Sequence, residues 1–225
     1  MELNKIINGD CLAGMRSDIS DESIDLIVTD PPYLVSYKTN HRKNKEHKFC
    51  KTIQNDNNPD LIRDYIKECY RILKKDSAMY MFCSCVHIDK FMQMAREAGF
   101  TIKNIIVWVK NNWSAGDLQA AFGRQYEFIL LLNKGRRKFN GKRITDVWFF
   151  DRVVGSKQLH QNQKPIDMIK RCIEYHSNPS DVVFDGFMGS GTTAVACAET
   201  GRNYAGYELD KEYFDVAVDR LRKLS

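Results

Sequence analysis

Short apolar runs recur along the chain, with amphipathic stretches between them. Residues 5–8, 25–29, 78–83 and 104–109 have the length and composition of buried strands, as do 126–132, 181–184 and 204–207. From 61 to 73, apolar residues fall at Leu61, Ile62, Tyr65, Ile66, Cys69, Tyr70 and Leu73, the spacing of a helix with one buried face. A second helix is predicted over 88–98, closed by Gly99. Pro165 opens a third as a first-turn proline. A fourth covers 190–200 and is closed by Gly201, and a fifth covers 211–224. Strands alternating with helices predict a mostly parallel sheet covered by helices on both faces. The 126–132 run follows 104–109 after a short polar insert, which predicts an antiparallel strand at the sheet edge. Residues 36–58 and 110–124 lack periodicity and read as loops, the segments that carry function in such folds.

Composition narrows the class. A chain of 225 residues, 43% hydrophobic and 28% charged, suits one soluble domain over 1–225. The first residues show no basic segment followed by an apolar run, and no apolar stretch approaches the roughly 18 residues of a membrane span. A cytoplasmic protein with no membrane partner is expected. Seven cysteines form no framework, and Cys83 and Cys85 are too close for the usual zinc pair, so reduced thiols and no metal are expected.

Charge is unevenly placed. The net charge is +5, but residues 38–51 alone carry +5 and residues 134–143 carry +6, which leaves −6 on the rest. Two basic runs on an acidic body point to a polyanion held at one face. Lys38, Arg42, Lys43 and Lys45 are the candidate contacts in the first run, and Arg136, Arg137 and Lys138 in the second. The first run reads as a mobile loop over 36–58.

Two segments carry chemistry. In Leu26–Lys38, "LIVTDPPYLVSYK", an apolar strand stops at an acid followed by two prolines and an aromatic ring. Prolines cannot continue a ladder, so they freeze a loop between the Asp30 carboxylate and the Tyr33 ring. In 181–201, "DVVFDGFMGSGTTAVACAETG", a strand runs into a glycine loop and then a helix. Glycines allow a ligand to approach the backbone, and the helix start offers unpaired amides. About 20 residues on, Glu208 ends the next strand, where a carboxylate can accept hydrogen bonds from both ribose hydroxyls of a nucleoside.

With both segments in this order, the chain resembles the beta class of S-adenosylmethionine-dependent DNA amino-methyltransferases, over nearly its whole length. "NGDCL" at 8–12 matches their early cofactor element, "HQNQKP" at 160–165 the element beside the cofactor's methionine portion, and "GYELDKEYFDVAVDRL" their ending. The resemblance implies a Rossmann-like, doubly wound α/β fold. Its sheet would have seven mostly parallel strands, one of them antiparallel, in circularly permuted order with the first strand beside the last. It implies S-adenosylmethionine as cofactor, held by Asp10, Cys11, Asp30, His160, Lys164, Asp185, Phe187, Gly189, Ser190, Gly191, Thr192 and Glu208. One departure stands out: the family usually has Asp-Pro-Phe where this chain has Asp185-Gly186-Phe187, which predicts a looser turn.

The implied reaction is methylation of an exocyclic base amine in double-stranded DNA. That amine is a poor nucleophile because its lone pair is delocalised into the ring. Asp30 and the Pro31 carbonyl would each accept one amine hydrogen, Pro32 would stiffen the turn, and Tyr33 would stack on a flipped base. Asp rather than Ser before Pro-Pro-Tyr favours adenine by resemblance, with cytosine as the alternative. RNA and protein-amide enzymes use related turns but place the glycine loop first. The DNA methyltransferase resemblance makes 110–160 the region expected to read bases. It also favours a homodimer and leaves room for a separate restriction endonuclease as partner.

Overall fold

A computed structural model describes residues 1–35, 57–114, 117–155, 158 and 163–224. In chain order the strands are β1 (Lys5–Asn8), β2 (Ile24–Thr29), β3 (Leu73–Cys83), β4 (Thr101–Val109), β5 (Tyr126–Lys134), β6 (Val147–Phe149), β7 (Val182–Asp185) and β8 (Asn203–Glu208). The helices are α1 (Cys11–Asp18), α2 (Pro59–Ile72), α3 (Ile88–Ala98), α4 (Ile166–His176), α5 (Thr192–Thr200) and α6 (Lys211–Arg222). The strands form one sheet in the order β1-β8-β7-β2-β3-β5-β4-β6. Residue 38 and its basic neighbours through 51 lie outside the described residues.

The expected parallel sheet with a single reversed strand is present, with two corrections. The sheet has eight strands among the described residues, not seven. The eighth is β6, three residues long, pairing with β4 and exposing Val147 and Phe149. It is too short for a periodic signal. The reversed strand β5 is not at the edge: it pairs antiparallel with both β3 and β4. Its run Ile129–Leu132 is buried on both faces, as suits an interior strand. The first strand lies beside the last, with Lys5 opposite Ala205 and Asn8 opposite Glu208.

Each face of the sheet has its own core. On one, α1, α2 and α3 bury Met15, Ile62, Tyr65, Ile66 and Phe91. On the other, α4, α5 and α6 bury Met168, Cys172, Ala194, Cys197 and Ala217. The helix α1 has no counterpart in the apolar pattern, because it buries only Cys11 and Met15 and has almost no amphipathic signal. Two other boundaries move. Pro165 is the N-cap of α4 rather than its first residue, and α5 starts at Thr192 because Gly191, at φ +79°, turns left-handed before it. A Cβ at Gly191 would also come within 2.8 Å of the Ala217 Cβ, so glycine is required there twice over. No described helix is long and apolar enough to cross a membrane.

Candidate active site

Four adjacent parallel strands, β1, β8, β7 and β2, end side by side. The chain places a carboxylate at each end: Asp10 just after β1, Glu208 closing β8, Asp185 closing β7 and Asp30 just after β2. Neighbouring strands are about 4.8 Å apart, so the four acids cluster at the carboxyl edge of the sheet, where open α/β folds bind ligands.

Each acid has a local task as well. Asp10 caps α1 through its Oδ1, which accepts from the Ala13 amide at 2.8 Å. Cys11 follows it and is buried, and burial pushes its thiol up to about 12. Glu208 accepts from the Gly189 amide at 2.6 Å with one oxygen and from the Asp210 amide at 2.8 Å with the other. Burial pushes the Glu208 carboxyl above its usual range. A carboxylate has about four acceptor positions, so Glu208 can still take ribose hydroxyls. Asp185 is fully enclosed. It accepts from the Phe187 amide at 3.0 Å and from the Thr193 hydroxyl at 2.7 Å. Burial raises its pKa to about 7, against the pull of those donors. Asp185 therefore shapes the glycine loop from inside.

Residues of that loop divide by direction. Ser190 and Thr192 are buried, and both meet Arg220 of α6, which donates to the Ser190 carbonyl at 2.6 Å and lies 3.4 Å from the Thr192 hydroxyl. Phe187 is half-buried and packs edge-on against Tyr65, ring centres 4.8 Å apart. A Cβ at Gly9, at the end of β1, would meet nothing within 4 Å, so the carboxyl edge is open there. Acceptors for a base amine at Asp10 and for hydroxyls at Glu208, with open space beside them, fit a nucleoside-containing cofactor.

The Asp30–Tyr33 turn is held by charge. Pro31 and Pro32 are buried, and Leu34 leaves the turn with φ +61°. Lys164, itself 7% exposed, places its ammonium 2.9 Å from Asp30 Oδ2, 3.1 Å from Glu127 Oε2 and 3.0 Å from the Tyr33 hydroxyl. The Tyr33 hydroxyl donates to Asp30 Oδ1 at 2.6 Å. Glu127, from β5, also pairs with Lys110. Two carboxylates thus share Lys164, but among the described residues only Glu127 has a second lysine. Burial would raise both. For Glu127 the two lysines prevail and its pKa falls to about 2. For Asp30, burial and the nearby Glu127 charge outweigh Lys164 and the Tyr33 hydroxyl, and its carboxyl lies above the ordinary range. Lys164 is held above its ordinary value, because the two acids overcome its burial. The site separates two acids into one firmly ionised anchor and one with stronger proton affinity.

Across 24–219, the residues match the sequence profile of the DNA methylase family. The chain belongs to that family. The putative methylase YubD of Escherichia coli is 32% identical over 97% of this methylase and 90% of its own length. The DNA adenine methyltransferase YhdJ of Escherichia coli is 32% identical over 98% of this chain and 83% of its own. The type II methyltransferase M.HinfI of Haemophilus influenzae is 31% identical over 99% and 69%. Among solved structures, the M1.HpyAVI–SAM complex superposes with a TM-score of 0.74 at 28% identity, over 96% of this chain and 98% of that one.

Not every residue singled out in the methylase sequence converges here. His160, Lys38, Arg42, Lys43 and Lys45 lie outside the described residues. Arg136, Arg137 and Lys138 follow β5 at the amino edge of the parallel sheet, since Phe128 pairs with Cys83 but Lys134 with Ser77. The seven residue steps from Glu127 to Lys134 span more than about 20 Å of strand, so this basic run does not meet the Asp30–Tyr33 turn. Two contributors have no signal in the sequence. Glu127 sits inside an apolar strand pattern and Arg220 in an ordinary charged helix. Their roles come from partners 37 and 30 residues away along the chain.

The turn at Asp185-Gly186-Phe187 is not loose. Gly186 is buried, and its amide donates to the Tyr65 hydroxyl at 3.2 Å. Trp108 and Trp148 are buried while Trp113 is 68% exposed, and burial pushes the Cys83 thiol up to about 12. Among the described residues no group of His, Cys, Asp and Glu could hold a metal ion.

Proposed function

We propose that this methylase transfers a methyl group from S-adenosylmethionine to the exocyclic amine of adenine in double-stranded DNA. The observation that carries the reading is the position of the Asp30–Tyr33 turn. It begins at the end of β2, next to the β7 glycine loop, so a methyl acceptor and a nucleoside cofactor can lie side by side. When bound, the cofactor supplies an electrophilic methyl on a sulfonium sulfur. Asp10 and Glu208 offer acceptors to its adenine and ribose, and the loop from Asp185 to Thr192 flanks it.

The chain's own residues handle the acceptor. Asp30 accepts one amine hydrogen, and its raised proton affinity strengthens that pull. The Pro31 carbonyl accepts the other. Lys164 and Glu127 fix the Asp30 carboxylate, so little reorganisation is required at reaction. The Tyr33 ring gives the flipped base a stacking platform, worth about 1–3 kcal/mol per base in single-strand binders. Asp30 in place of Ser supports adenine, as does the likeness to a relative named as a DNA adenine methyltransferase. Likeness to type II methyltransferases supports a companion endonuclease as partner.

The test uses labelled S-adenosylmethionine and duplex DNA, digestion to nucleosides, and mass spectrometry of the labelled product. N6-methyladenine is expected. N4-methylcytosine would refute the base while sparing the clamp, and label entering only RNA or protein would refute the substrate class.

A further inference from the structure

Tyr65 belongs to neither motif. It lies on α2, which packs beneath the sheet, and it is fully buried. Its hydroxyl nevertheless touches both motifs. The Gly186 amide donates to it at 3.2 Å, and the Thr29 hydroxyl lies 2.8 Å away. Thr29 directly precedes Asp30, and Gly186 directly follows Asp185. The Tyr65 O–H can donate to Thr29 while it accepts from Gly186, so one hydroxyl joins the two strand ends. The Tyr65 ring also supports Phe187 edge-on.

Space at residue 186 fits the same partner. A Cβ on Gly186 would stand 2.5 Å from Tyr65 Cε2 and 2.7 Å from its hydroxyl. A proline there would bring that Cβ and would lack the amide that donates. Gly186 and Tyr65 are therefore a matched pair: the glycine admits the phenol, and the phenol stiffens the turn.

We propose that Tyr65 is a positioning residue that couples the cofactor loop to the amine clamp, locking Gly186 and Thr29 to one hydroxyl. The inference rests on the methyl-transfer reading above. The hydroxyl holds the two strand ends at a fixed spacing, so the methyl donor and the amine acceptor keep one relative geometry.

The experiment compares wild type, Tyr65→Phe, Thr29→Val and the double variant. Tyr65→Phe keeps the packed ring and deletes only the hydroxyl. Cofactor affinity is measured by calorimetry, and the single-turnover methyl-transfer rate is measured at saturating cofactor and DNA. Tyr65→Phe is expected to weaken cofactor binding and to slow single turnover at saturation, each by about tenfold, since a buried amide is left without its acceptor. Thr29→Val is expected to do the same, and the double variant to be no worse than the poorer single, because the two hydroxyls act as one unit. A packing residue alone would lower the melting midpoint and leave rate and affinity within about twofold of wild type; that result overturns the proposal. Effects that multiply in the double variant would overturn the shared link through the Tyr65 hydroxyl. A wild-type protein that binds cofactor and methylates nothing would overturn the methyl-transfer reading, and this inference with it.

Discussion

Asp30 and Asp185 both have carboxyls held above the ordinary range, but Asp185 is enclosed while Asp30 is part-exposed at the Asp30–Tyr33 turn. Asp30→Ala should lower single-turnover methyl transfer by roughly 10²–10³, the typical cost of removing one preorganised polar partner. Its fold should survive, because Lys164 keeps Glu127 as a partner at 3.1 Å. Activity within a few-fold of wild type, in protein of unchanged melting midpoint, would remove Asp30 from the clamp. Asp185 makes a pH prediction instead. Its carboxyl titrates near pH 7 in the fold, against 3.8 ordinarily. Between those values the unfolded chain is ionised while the native one keeps its proton, so native stability falls as pH rises through that window and levels off above it. Asp185→Asn should flatten that slope. Melting midpoints taken from pH 4 to 8 would decide it: an unchanged slope in the variant would place the titration elsewhere.

At the scale of elements, most of what positions the site is legible in the apolar pattern. Among the described residues, seven of the eight strands and five of the six helices lie close to where that pattern predicts them, because each buries a continuous face. The exceptions share a cause. The helix α1 and strand β6 bury two residues and one residue respectively, so they leave no periodic trace. The edge position expected for β5 fails because neighbours along the chain need not end at an edge; burial on both faces decides for the interior. That correction matters for function. Only an interior β5 can bring Glu127 against Lys164 and so against Asp30. The clamp and the glycine loop are visible as motifs, since their prolines and glycines mark backbone demands. Their supports, Tyr65, Glu127 and Arg220, are invisible, since each acts on a partner distant in the chain. Gly186 shows the limit most clearly: read alone it loosens a turn, and read with Tyr65 it tightens one.

For the whole molecule, the direction of the sheet explains one of the two basic runs. In a parallel α/β layer, helix carboxyl ends collect at the amino edge of the strands, and these ends carry partial negative charge. Lys134 donates to the Tyr70 and Leu73 carbonyls at 2.9 and 2.8 Å at the end of α2, and pairs with Glu22. Arg137 reaches the carbonyl of His176, the last residue of α4. Part of the 134–143 charge thus complements helix ends, well over a Debye length from the clamp at physiological salt. Replacing Arg136, Lys138, Lys142 and Arg143 by Gln should leave the salt dependence of duplex binding unchanged. Replacing Arg42, Lys43 and Lys45 should flatten it, by up to about 0.9 in log–log slope for each phosphate no longer neutralised. Fluorescence anisotropy of a labelled duplex, titrated across ionic strengths, measures both. Equal flattening by the two sets would mean that the duplex extends to the amino edge of the sheet, and that the second run touches it as well. A slope altered only by the first set would keep the duplex away from the amino edge of the sheet, where Arg136, Arg137 and Lys138 lie.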